Sequence, residues 1–360
     1  MSLSIGIVGL PNVGKSTLFN ALTDNNILAA NYPFATIDPN TGIVPIPDER
    51  LTKLSQIYGG APIKPATVQF VDIAGLVAGA SKGEGLGNQF LSHIRTCNAV
   101  VQVVRAFDDP DVQHVDERHD PQKDIDVINT ELVLADLQTV ERRLPQVEKM
   151  AKADPKLKSI YESLQKVHSA LNQGKTVNSL SDIDPEHIAD LQLITAKPVI
   201  YLFNVDEDTL TDDQKKQQLA GLVAPAQALF VCAKLENELR SLDEADRQEL
   251  LESYGQKESG LIQLIHAAYD ILGLQSYLTA GDKEVRAWTI KKGAVAPQAA
   301  RVIHGDFERG FIAAEVVDYN DLVAAGSLPA ARAIGKVRTE GKTYLMQPND
   351  VVEFKFNVSK

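Results

Sequence analysis

Gly9-Leu10-Pro11-Asn12-Val13-Gly14-Lys15-Ser16 is a complete phosphate-binding loop of the G-x-x-x-x-G-K-S type. Ser4-Ile5-Gly6-Ile7-Val8 before it is a short apolar strand signal, and Ser16-Thr17-Leu18-Phe19-Asn20-Ala21-Leu22 after it opens a helix. The glycines let consecutive backbone N–H groups turn inward around a β-phosphate, and the positive end of the helix dipole faces the same anion. Lys15 then reaches the β and γ oxygens, and the Ser16 hydroxyl ligates Mg2+. Asn12, Val13, Gly14 and Thr17 complete the expected cradle. Working outward, strand signals recur at 67–71, 99–104, 198–203 and 227–231 and alternate with helical stretches. That alternation predicts an α/β domain around a mostly parallel sheet.

Asp72-Ile73-Ala74-Gly75 follows the strand signal at 67–71. There a nucleotide switch places an Asp that holds Mg2+ through water and a Gly whose N–H senses the γ-phosphate. Thr36, in the loop between the two motifs, is a candidate to bring a hydroxyl to Mg2+ in the triphosphate state, beside Ser16 and Asp72. The residue after Gly75 is Leu76, which has neither donor nor acceptor to orient the attacking water. Slow intrinsic hydrolysis is therefore expected unless another group substitutes. Asn12 is a candidate ligand for a monovalent cation such as K+. His114 is a candidate to orient the water, although a lone His in an acidic loop is ordinarily a solvated residue. Lys15, Gly75 and His114 are the expected catalytic set.

Where a GTPase reads guanine with Asn-Lys-x-Asp, this chain carries Asn204-Val205-Asp206-Glu207. A fixed carboxylate accepts the guanine N1–H but would meet a lone pair on adenine N1. Val205 removes the Lys, and Glu207 puts a longer arm at the Asp position. The expectation is weakened guanine recognition, with Asn204 and nearby backbone free to meet the adenine amine. Cys232 and Ala233, in Val231-Cys232-Ala233-Lys234, fit the loop that backs the base. A conventional GTPase and a non-hydrolysing nucleotide sensor or RNA-binding adaptor are the rival readings.

Between the strand signals at 99–104 and 198–203 the texture changes. Val133, Leu137, Val140, Leu144 and Val147 recur at helical spacing, and the rhythm returns after Asp154-Pro155 at Leu157, Ile160, Leu164, Val167 and Leu171. An antiparallel helical hairpin inserted in the α/β domain is predicted. From about 277 short β-type runs at 285–290, 310–317, 335–338 and 351–356 predict a small mixed module. The net charge of −12 argues against broad binding to polyanions, yet residues 141–175 hold eight basic side chains against four acidic ones. That stripe is a candidate RNA contact. Two cysteines without metal or redox spacing, and no leader or membrane-spanning pattern, lead to the expectation of a cytoplasmic protein with reduced thiols and no membrane partner.

Taken together, these motifs and the run Arg301-Val302-Ile303-His304-Gly305-Asp306-Phe307-Glu308-Arg309-Gly310-Phe311 resemble the YchF subfamily of Obg-related P-loop proteins, the Obg-like ATPases. The resemblance implies a G domain over 1–128 and 196–276, a coiled-coil insertion over 129–195, and a TGS-like β-grasp domain over 277–360. It also implies hydrolysis of ATP in preference to GTP, a Mg2+ requirement, and association with ribosomes and RNA. By the same resemblance His114 occupies the loop position that compensates for the missing glutamine.

Overall fold

A computed structural model describes residues 3–24, 41–73, 86–107 and 120–357. The chain divides into two compact units, one of 1–44 with 69–268 and the other of 45–68 with 269–360.

The first sheet is built from β1 (Ser4–Val8), β2 (Thr41–Pro45), β4 (Thr67–Asp72), β5 (Ala99–Ala106), β6 (Val199–Val205) and β7 (Gln227–Val231), while the short β3 (Ile63–Lys64) between β2 and β4 belongs to the second sheet. Among the described residues, one sheet runs β2-β4-β1-β5-β6-β7. β1 pairs in parallel with β4 and β5, β5 with β6, and β6 with β7. Seven successive residues of β5, from Ala99 to Arg105, are buried, as a parallel strand covered on both faces requires. All five strands expected for this domain are present at those places. β2 and β3, which carry little apolar alternation, were not anticipated.

The insertion is built on a 33-residue helix, Pro121–Ala153. Asp120 caps it by accepting from the N–H groups of Gln122 and Lys123 at 3.0 and 3.3 Å. A boundary at 128/129 would therefore cut a continuous helix, whose first turns put Ile125 against Val104, Tyr201 and Phe203 of the sheet. The break falls at Asp154-Pro155 as expected. The Asp154 N–H still bonds Met150 O, while its carboxylate caps the next turn at Lys156 N. The return helix, Lys158–Asn172, packs Leu164, Val167 and Leu171 against Val133, Val140 and Val147. It is less than half the length of its partner. The rest of the way back is made of short 3-10 turns that bring Val177, Ile188 and Leu193 into the same cluster.

The second unit has β8 (Leu274–Gly281), β9 (Glu284–Lys291), β10 (Phe311–Asp318), β11 (Arg338–Glu340) and β12 (Asp350–Phe356). Their order, β11-β10-β12-β8-β9-β3, sets β8 parallel to β12 between antiparallel neighbours. Helix Ala296–Ile303 lies on this sheet through Ala296, Ala299 and Ala300, and the Tyr277 hydroxyl donates to Ala299 O at 3.0 Å. Small residues allow that close approach. The strand expected at 335–338 forms only from Arg338 onward, because Gly335 takes a left-handed turn with φ +71°.

The expected partition placed 45–68 with the phosphate loop. In the structure this segment packs with the terminal unit. β3 pairs with β9, Val285 N donates to Pro62 O at 2.9 Å, and Arg50 reaches Pro348 O at 2.6 Å. Among the described residues no helix is long and apolar enough to cross a membrane.

Candidate active site

β1 delivers the chain to the phosphate loop, which closes on helix Lys15–Asp24. Asn12 and Gly14 take left-handed φ angles of 64° and 92°. At Gly14 a side chain would also collide with the Asn204 amide, so the glycine is required twice over. A Cβ at Gly9 would stand 3.0 Å from Val103 O on the neighbouring strand β5. Val13 is buried beneath the loop, and Leu18 N bonds Gly14 O at 3.0 Å to start the helix.

Lys15 is buried, at 8% exposure, and its ammonium forms an ion pair with Asp72. Asp72 ends β4 and stands opposite Ile7 in register, so parallel pairing alone brings it to the loop. Ser16 and Thr17 are exposed on the first turn of the helix. An exposed hydroxyl and a carboxylate are hard oxygen donors that fit Mg2+, an ion that usually takes one or two protein ligands and fills its shell with phosphate and water. Among the described residues no cluster of three or more His, Cys, Asp or Glu could hold a metal without such help.

Asn204 corrects one expectation. It is not free to meet a base amine: it is buried, Nδ2 donates to Val13 O at 3.1 Å, and Oδ1 accepts from Ala233 N at 3.2 Å. The side chain ties the phosphate loop to the loop after β7. The pairing Asn204↔Val231 puts that loop alongside 205–207. Val205 and Cys232 are buried beneath, and burial pushes the Cys232 thiol above its ordinary pKa. Ala233 is half-buried at the first position of helix Ala233–Leu239. Glu207 opens helix Glu207–Thr211, capped by the Asp206 carboxylate on Thr209 N at 2.8 Å. Its own carboxylate pairs with Lys234 Nζ at 2.9 Å, a partnership across 27 residues that no local pattern in the sequence announces. Thr36, Gly75, Leu76 and His114 lie outside the described residues.

The basic stripe on the hairpin is partly neutralised. Arg143 pairs with Asp190, Lys152 with Glu148, Lys158 with Glu162 and Lys166 with Asp182. Arg142, Lys149, Lys156 and Lys175 have no ion pair among the described residues. In the terminal unit Arg286 stacks 3.8 Å over Trp288, and Lys292 pairs with Asp270.

A parallel sheet with a glycine-bent loop, a buried Lys beside a strand-end Asp and an Asn clamp defines a P-loop nucleotide-binding domain of the GTPase type. A family described as "50S ribosome-binding GTPase" matches residues 4–135, and the YchF-GTPase C-terminal family, described as "Protein of unknown function (DUF933)", matches 274–357. The chain is 50% identical to the "Ribosome-binding ATPase YchF" of Bacillus subtilis, covering 99% of this chain and all of that one. It is 48% identical to the protein of the same name from Haemophilus influenzae, with the same coverage. The solved Schizosaccharomyces pombe YchF GTPase superposes with a TM-score of 0.86 at 40% identity, over 98% of both chains. The chain belongs to the YchF family.

Proposed function

We propose that this chain is a Mg2+-dependent ATPase whose nucleotide state sets its association with the ribosome. The observation that carries the reading is the convergence of Lys15, Asp72 and Ser16 at one loop that Asn204 ties to the purine-side turn. Lys15 exchanges Asp72 for the β and γ oxygens of the incoming nucleotide, and its positive charge stays where the transferred phosphoryl group gathers negative charge. Asp72, so released, and Ser16 would hold the Mg2+ shell, with Thr36 as the ligand from the switch loop. The metal ion supplies charge neutralisation on those same oxygens. Gly75 offers its N–H to the γ-phosphate. Because Leu76 cannot orient water, His114 takes that part, and Asn12 would hold a K+ that supplies positive charge.

Val205, buried where a lysine would flank guanine, and Glu207 support adenine as the preferred base. The names of the Bacillus and Haemophilus relatives specify ATP and ribosome binding, which supports the same reading and a cytoplasmic setting. RNA contact through Arg142, Lys149, Lys156 and Lys175 is the part of the proposal that high salt should weaken. Calorimetry with MgATP and MgGTP tests the base preference. ATP is expected to bind more tightly, and a tenfold preference for GTP overturns it. Ribosome co-sedimentation with and without ATP tests the partner.

A further inference from the structure

Across the two turns on the purine side a carboxylate meets an ammonium. Glu207 and Lys234 come from helices that begin at the ends of adjacent strands β6 and β7, and their side chains meet at 2.9 Å. Lys234 is 70% exposed and Glu207 32%, so the pair stands at the open rim of the site. Just below it, the Ala233 N–H is already given to Asn204 Oδ1.

We propose that Lys234 is a specificity-determining residue: by holding one oxygen of Glu207 it turns a guanine-reading carboxylate into a paired acceptor and donor suited to adenine. The inference rests on the ATP preference proposed above and names the residue that sets it. Guanine presents two donors, N1–H and the exocyclic amine, beside the O6 acceptor, and a carboxylate reads it with both oxygens free. Here one oxygen is taken, and the backbone donor best placed for O6 is spent on Asn204. Adenine presents one donor, its amine, beside the N1 acceptor. The remaining Glu207 oxygen accepts from that amine. An ammonium has three donors, so Lys234 can serve Glu207 and N1 together. Docking guanine in the carboxylate-reading way would separate the pair and leave the ammonium unpaired under the base.

An exposed ion pair of this kind adds little to folding, so its removal perturbs recognition without unfolding the chain. The test is calorimetric affinity for MgATP and MgGTP in the wild type, Lys234→Ala, Glu207→Ala and the double variant, with thermal melts as a control. Lys234→Ala is expected to lower the ratio of ATP to GTP affinity at least tenfold, and to have no further effect on that ratio once Glu207 is alanine. A ratio changed less than threefold overturns the proposal, as does an equal shift in the Glu207→Ala background. Should the wild type itself favour GTP, the ATP reading fails by its own ratio. The shift on removing Lys234 is read separately.

Discussion

Glu236 is a carboxyl group with only 5% of its surface exposed, one turn into helix Ala233–Leu239, which follows β7. Burial pushes its pKa from 4.5 up to about 6, against the pull of the Gly260 and Leu261 N–H groups and Ser259. Its Oε1 accepts from Gly260 N at 2.7 Å, capping helix Gly260–Ile271. A carboxyl group whose pKa is higher folded than unfolded binds its proton more tightly in the fold. Stability contributed by this group is therefore full below about pH 4.5, falls as pH rises towards 6, and stays at the lower level above. Glu236→Gln keeps the acceptor and removes the charge. It is expected to raise stability by about 2 kcal/mol at pH 7.5, with the difference vanishing near pH 4.5. Urea titrations at the two pH values measure this, and an equal effect at both would exclude the titration of Glu236 as the cause.

At the scale of elements, the long helix Pro121–Ala153 joins the sheet to the insertion, and Asp136 fixes the returning chain to it. Asp136 is fully buried and accepts from Ile194 N at 2.9 Å, Thr195 N at 2.7 Å and Thr195 Oγ1 at 2.8 Å. Burial raises its pKa more than these donors and Arg95 lower it. Arg95, at the end of helix Leu86–Thr96, adds bonds to Thr139 Oγ1 at 3.0 Å and Gln192 O at 3.2 Å. Asp136→Ala would strand three buried donors and is expected to cost about 3 kcal/mol or more. The urea midpoint should fall with an unchanged slope, and hydrogen exchange should quicken at the amides of Ile194 and Thr195. Normal protection there would mean the anchor lies elsewhere. The hairpin itself was legible because its apolar rhythm is helical on both sides of Asp154-Pro155. The 3-10 return was not, because Asp136 and Thr195 find one another across 59 residues with no local pattern to announce it.

At the scale of the whole molecule, the chain enters the terminal unit twice, first as 45–68 and again from 269. Helix Glu49–Ile57 buries Leu51 and Leu54, and Lys64 pairs with Glu284 at 2.5 Å. A chain ending at residue 268 leaves this segment without β9. Limited proteolysis of that shortened chain is expected to cut within 45–68 at sites the full chain protects. Equal protection in both chains would show that the segment holds its structure alone. Sequence reading assigned 45–68 by position along the chain. A two-residue strand has no periodicity, so only its partner reveals it.

By itself the sequence determined the phosphate-binding loop, the five main strands of its sheet and the inserted hairpin. Gly14, Lys15 and Ser16 stand together because one contiguous motif carries them, and Asp72 reaches Lys15 because parallel strands end on one edge. The same local logic placed Val205 and Glu207 at the turn that ends β6. Only the tertiary structure decided what those side chains touch: Asn204 spends both ends of its amide on Val13 and Ala233, and Glu207 is met by Lys234. Periodicity and motif spacing record what a residue does to its own stretch of chain. Hydrogen bonds between segments far apart depend on strand register and on which turns it sets side by side, and that is settled only when the sheet forms.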